Sequence, residues 1–219
     1  MSEKPNFIFI LMDDMGWKDI GCFGSSFYET PSIDQLAQQG MRFTDGYAAC
    51  PVCSPTRASI LTGKYPASVG VTDWIDFGSG THPCKGKLVD VPYVDHLPPE
   101  EYNLAEALQE AGYHTWHLGK WHLGDEPYYP EKQGFEKNIG GCEMGSPGTE
   151  GYFSPYNIKN LKDGPEGEYL TDRITEEAVN LIKNHEGDKP FYMNLDYYAV
   201  QTPIMGKEEY VKKYKKKKQ

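Results

Sequence analysis

Pro5-Asn6-Phe7-Ile8-Phe9-Ile10-Leu11-Met12 runs directly into Asp13-Asp14. The continuous apolar run predicts a buried strand of a parallel sheet. Two carboxylates then stand at its carboxyl end, where ligands gather in open α/β sheets. Adjacent carboxylates there repel each other unless a cation neutralises them. All-oxygen ligands favour a hard cation such as Ca²⁺ or Mg²⁺ over zinc. Alone the pair is a weak signal, since aspartates also cap turns and helices.

Beyond this strand the chain alternates. Thr30 to Gly40 predicts a short helix, with Thr30 as cap, Pro31 in the first turn, Ile33, Leu36 and Ala37 on one face, and Gly40 as stop. Asn103 to Gly112 repeats the pattern, with Leu104, Ala107, Leu108 and Ala111 inward and Glu106 at the capping-box position. Tyr113 to Leu118 reads as a strand, Thr171 to Asn184 as a helix with Ile174, Ala178, Leu181 and Ile182 on one face, and Phe191 to Tyr197 as a last strand. Strands alternating with amphipathic helices define an α/β sheet with helices on both faces. The segments Thr72–Pro99 and Asp125–Gly167 are too long for ordinary connections and are expected to wall a cleft.

Pro51-Val52-Cys53-Ser54-Pro55-Thr56-Arg57-Ala58-Ser59-Ile60-Leu61-Thr62-Gly63 carries the strongest chemical signal. Pro55 suits the first turn of a helix, which sets Cys53 just before a helix N-terminus, a place that favours anions. Arg57, one turn on, adds a permanent cation with planar donors suited to an oxyanion. Gly119-Lys120-Trp121-His122-Leu123-Gly124 follows a predicted strand, so Lys120 and His122 should face the same cleft. The lysine supplies charge for an anion and the histidine a hydrogen bond. His114 and His117 read as structural.

Composition narrows the field. The 219 residues suffice for one sizeable α/β domain or the larger part of one, and 38 % hydrophobic content suits a packed core. A net charge of −10 argues against a nucleic-acid surface, so local cations must meet any anionic substrate. No apolar run approaches the roughly 20 residues of a membrane span, and no signal peptide is evident at the start. Cys22, Cys50, Cys53, Cys84 and Cys142 are too sparse for a disulfide framework. Cys50 and Cys53 have CxxC spacing, which also suits a redox pair or half a zinc site, but no second CxxC follows. Six lysines from Lys212 to Lys218 read most simply as a solvated end, with a membrane or polyanion tether as the alternative.

The Cys53-to-Arg57 stretch and the Gly119-to-Gly124 block resemble the two signatures of the formylglycine-dependent sulfatases, and the resemblance runs from Pro5 to about Gly206. It implies an alkaline-phosphatase-like α/β fold, incomplete in this chain, over residues 1–206, with 207–219 as a Lys-rich tail. It also implies sulfate-monoester hydrolysis with Cys53 oxidised to formylglycine by a maturation enzyme. Asp13, Asp14 and the modified Cys53 would bind Ca²⁺, with Mg²⁺ second. Arg57 would steady the modified residue, and Lys120 and His122 would hold sulfate. The aldehyde hydrate resolves the mismatch between a soft thiolate and a hard cation, and its second hydroxyl gives a sulfated intermediate a way to collapse.

The substrate would be a sulfated small molecule or glycan, and the location periplasmic or secreted. Gln201 stands where the family places a sulfate-binding histidine; glutamine hydrogen-bonds an oxyanion but brings no charge. The family's later metal-binding block and second sulfate-binding lysine are expected to be missing, leaving the chain inactive alone. A phosphoester or phosphonate hydrolase and a degenerate glycan-binding relative are the rival readings.

Overall fold

The computed structural model describes residues 4–76, 86–89 and 91–217. Cys84, part of the expected Thr72–Pro99 wall, and Lys218 lie outside them. The main elements are β1 (Phe7–Met12), α1 (Pro31–Gln39), α2 (Cys53–Thr62), α3 (Pro66–Val69), α4 (Leu104–Glu110), β2 (His114–Gly119), β3 (Lys137–Ile139), α5 (Leu170–Lys183), β4 (Phe191–Tyr197) and α6 (Glu208–Lys217). The four strands form one sheet in the order β1-β4-β2-β3, and every pairing is parallel.

The register assigns the faces. Trp116 pairs with Met193 and Leu118 with Leu195, so these side chains share one face with Phe191 and Tyr197. Helix α5 lies on it: the Thr175 and Tyr197 hydroxyls are 2.8 Å apart, and His185 meets Trp116 and Phe191 edge-on. The opposite face carries Thr115, His117, Tyr192, Asn194 and Asp196; Phe135 covers part of it, and Arg57 of α2 reaches Asp196. Helices therefore do flank both faces, as alternation predicts.

The expected burial fails at β1. Phe7, Ile8 and Ile10 are exposed, Ile10 by 53 %. β1 is an edge strand, and among the described residues no helix covers it; α1 packs on the turn Gly21–Phe23 instead. In consequence the expected α1 face is also open, with Leu36 65 % exposed. Thr30 does not cap α1 either: its hydroxyl donates to Asp34 at 3.1 Å.

Other elements follow the sequence more closely. Asn103 accepts from the N–H groups of Ala105 and Glu106, and the Glu106 carboxylate accepts from Asn103 N–H, completing the expected capping box. The inward face of α4 is rotated, with Ala105 buried and Leu104 and Ala111 exposed. On α5, Leu170, Ile174 and Ala178 are buried, while Ile182 is 39 % exposed. The Lys-rich end forms α6, whose lysines stay exposed. Tyr214 packs on Phe27 and Tyr28, and Lys213 and Lys217 pair with Glu29. Cys22, Cys50, Cys53 and Cys142 are free thiols.

Candidate active site

The site forms where β1, β2 and β4 end and α2 begins. Asp13 N–H donates to Ala199 O at 2.8 Å and Val200 N–H donates to Asp13 O, tying the ends of β1 and β4 together. Asp13 is buried, whereas Asp14 turns outward with φ 56°, in the left-handed region that aspartate tolerates better than most residues.

Cys53 is the first residue of α2, one position later in the helix register than expected, because Val52 takes the extended cap conformation. Pro55 falls at the third helical position, where an N–H still lacks an intrahelical acceptor, so its missing donor costs nothing there. The Thr56 hydroxyl donates to Cys50 O at 2.7 Å and folds the preceding turn over the helix start. Cys53 is half-buried and lines a cleft of about 480 Å³ with Asp14, Trp74, Ile75, Asp76, His122, Gly145, Ser146 and Gln201. Both long segments contribute to this wall, as their length predicts.

Arg57 and Lys120 lie under the cleft instead of in it. The Arg57 guanidinium donates to Lys120 O at 2.7 Å, to Asp196 Oδ2 at 3.0 Å and to Asp13 Oδ1 at 3.2 Å. Lys120 is fully buried, and its Nζ donates to Asp13 Oδ2 at 2.6 Å. Gly119 makes that descent possible: its φ is 92°, and a Cβ there would lie 1.9 Å from Asp196 O. Burial, then the Arg57 charge, pulls the Lys120 pKa down. Burial likewise raises Asp196 to about 6 against the pull of Arg57.

His122 reaches the cleft wall from a left-handed backbone position, φ 56°. Its Nε2–H donates to Ile75 O at 2.9 Å, and Gly145 packs so close that a Cβ there would meet the ring at 2.5 Å. Burial, then the nearby Lys120, lowers its pKa to about 3, so the ring is neutral. His122 therefore offers hydrogen bonding without charge. His117 has the structural role expected of it, with its ring between Asn194 and Gly119 O.

The Gln201 side chain addresses the carboxylate pair. Its amide nitrogen, turned toward them, donates to Asp13 Oδ2 at 2.6 Å and Asp14 Oδ2 at 2.7 Å. Two buried cations, Arg57 and Lys120, face two buried carboxylates, Asp13 and Asp196. Asp14 adds a negative charge that has no ion pair among the described residues.

Three contributors were not singled out from sequence. Asp196 interrupts the buried strand Phe191–Tyr197 one residue before its end, and a carboxylate in such a run is itself a signal. Gly145 and Ser146, and Trp74 through Asp76, lie in loops with no local pattern to mark them.

With this geometry described, relatives place the chain. Residues 5–219 match the family model Sulfatase; the chain belongs to the sulfatase family. It is 34 % identical over 221 residues to N-acetylgalactosamine-6-sulfatase of Canis lupus familiaris, covering 92 % of this chain and 41 % of that protein. The crystal structure of Ps i-CgsB superposes with a TM-score of 0.78 at 31 % identity, covering 99 % of this chain and 49 % of that one. BT4656, solved in complex with its substrate D-glucosamine-2-N,6-O-disulfate, matches with a TM-score of 0.71 at 28 % identity over 97 % of this chain and 38 % of its own. The fold is alkaline-phosphatase-like, and the chain spans less than half the length of these relatives. Among the described residues no helix is long and apolar enough to cross a membrane.

Proposed function

We propose that this chain supplies the nucleophile half of a sulfuric ester hydrolase acting on a sulfated sugar, with Cys53 converted to formylglycine by a maturation enzyme. The observation that carries the reading is the position of Cys53: first residue of α2, on the wall of the cleft, above a buried Arg57–Asp13–Lys120 network. N-acetylgalactosamine-6-sulfatase and the disulfated glucosamine bound to BT4656 favour a sulfated glycan over a simple aryl ester. A periplasmic or secreted location goes with that reading.

The donor set fits a hard cation. Asp14 leaves one unmatched carboxylate charge at the cleft, and Asp196 Oδ1 is buried without a partner. Asp13 and Asp14 would hold Ca²⁺, or less favourably Mg²⁺, with the oxidised Cys53. Bound there, the cation would supply Lewis acidity next to the modified residue. The chain's own residues set the stage. Arg57 fixes Asp13 from below, and α2 directs backbone N–H groups toward an arriving anion. Lys120 adds positive potential from beneath the floor, while His122 contributes a neutral ring on the wall. In this arrangement Lys120 acts on sulfate through its field, because its Nζ is committed to Asp13.

The test joins this chain to the C-terminal half of a sulfatase relative and compares an aryl sulfate with the matching aryl phosphate. Faster sulfate turnover that Cys53→Ala abolishes, with the melting temperature kept, is the expected result. Preference for phosphate would favour a phosphoester hydrolase. Turnover that survives Cys53→Ala would remove the nucleophile assignment.

A further inference from the structure

Gln201 is aimed at the aspartate pair by a rigid backbone clamp. The Tyr152 hydroxyl shares its one proton between Tyr198 O at 2.7 Å and Gln201 O at 2.9 Å, and Gln201 N–H donates to Tyr198 O at 2.9 Å. Tyr152 and Tyr198 are both fully buried, so the loop after β4 has little room to shift. From this clamp one end of the side-chain amide lies 2.6 Å from Asp13 Oδ2 and 2.7 Å from Asp14 Oδ2.

An amide has two ends of nearly equal shape and opposite chemistry. With nitrogen toward the pair, it donates to both carboxylates and relieves their repulsion. With oxygen toward the pair, three oxygens converge, which only a cation between them stabilises. A half-turn about the last side-chain bond exchanges these states without moving the backbone. Glutamine carbonyls are ordinary ligands of hard divalent cations. A residue carrying positive charge in this place would oppose a cation, whereas a neutral amide does not.

We propose that Gln201 is a ligand of the divalent cation: its NH₂ bridges Asp13 and Asp14 when no cation is bound, and its carbonyl oxygen replaces the NH₂ when the cation enters. The inference rests on the proposed reading of Asp13 and Asp14 as the cation-binding pair and extends it to a residue in the loop after β4. Gln201 then acts on the cation side of the cleft rather than on the sulfate.

The experiment titrates the full chain with Ca²⁺, using Tb³⁺ luminescence as the displaced probe, for wild type, Gln201→Leu and Asp14→Asn, with circular dichroism as the check on folding. Wild type should bind weakly, since Asp13, Asp14 and Gln201 supply only part of the roughly six to eight oxygens that Ca²⁺ takes, and both variants should bind roughly tenfold more weakly still. If Asp14→Asn weakens binding while Gln201→Leu leaves it equal or tighter, Gln201 is only a donor to the pair and the proposal falls, with the aspartate reading intact. If wild type does not bind, or Asp14→Asn changes nothing, the aspartate reading falls and the proposal with it. Should Gln201→Leu not fold, the wild-type Gln201 side-chain NH₂ resonances decide. Ca²⁺ should move them out of their hydrogen-bonded positions, and resonances that stay in place through the titration overturn the proposal.

Discussion

β1 and β4 lie side by side, paired in parallel from Phe7↔Tyr192 to Met12↔Tyr197, and both read as apolar strands carrying aspartate near the carboxyl end. All seven residues of β4 are buried, whereas Phe7, Ile8 and Ile10 of β1 are exposed. β1 is the more apolar of the two, with nothing like Asn194 or Asp196 within it, so position in the sheet decides the burial. β4 has strands on both sides and α5 on one face, while β1 has β4 alone. Their aspartates diverge for the same reason. Asp196 sits inside the packed layer and is raised to about 6 by burial. Asp14, just past the end of β1, is exposed and lines the cleft.

This contrast can be broken where it is strongest. Arg57 holds Asp196 and Asp13 together, so Arg57→Ala leaves two buried carboxylates with only Lys120 as a cation. Removing one partner of a buried pair costs about 3–5 kcal/mol, and denaturant melts should show a loss of that size. A loss under about 1 kcal/mol would mean that water already reaches this network.

Core truncation sharpens the strand comparison itself. Met193, fully buried in β4, should lose about 2–5 kcal/mol on replacement by alanine. Ile10→Ala in β1 should cost far less, since the side chain is already half in water. Equal losses in the two variants would show that β1 is covered in solution.

Protonation gives the subtlest readout, because the raised Asp196 opposes His117 and His122, both lowered. His117 has a folded pKa lowered to about 3, chiefly by burial. The unfolded chain therefore takes the proton first, and the stability His117 allows above pH 6.5 is lost as pH falls toward 3. Asp196, raised to about 6, works in the other direction. Its contribution is fully present below about 3.8 and is lost as pH rises through 6. Thermal melts of His117→Asn should therefore lose less stability than wild type between pH 6.5 and about 4. Parallel curves would place the acid sensitivity elsewhere.

The sequence revealed the elements more fully than their burial. β1, β2, β4, α1, α2, α4 and α5 lie where local patterns put them, although Thr30 does not cap α1 and α2 begins at Cys53 itself. The exposure of β1 and α1, and the rotation of α4, depend on what packs against them, which no local pattern contains. β3 escaped because three residues carry no period, and α6 because a run of lysines hides Tyr214, which packs on Phe27 and Tyr28. At the site, strand ends and motif spacing brought Asp13, Asp14, Cys53, Arg57, Lys120 and His122 to one end of the sheet, and the family resemblance added Gln201. It could not tell floor from wall. That Lys120 and Arg57 lie beneath, that His122 is neutral and that Gln201 faces carboxylates are consequences of long-range packing.

The central claim is that Cys53 is the precursor of the nucleophile, and peptide mass spectrometry tests it most directly. The chain is produced beside a formylglycine-generating enzyme and digested, and the peptide containing Cys53 is weighed and treated with a hydrazide probe. The account predicts loss of the thiol sulfur from that peptide and covalent capture by the probe. An unmodified Cys53 thiol in a preparation that hydrolyses sulfate esters would contradict it.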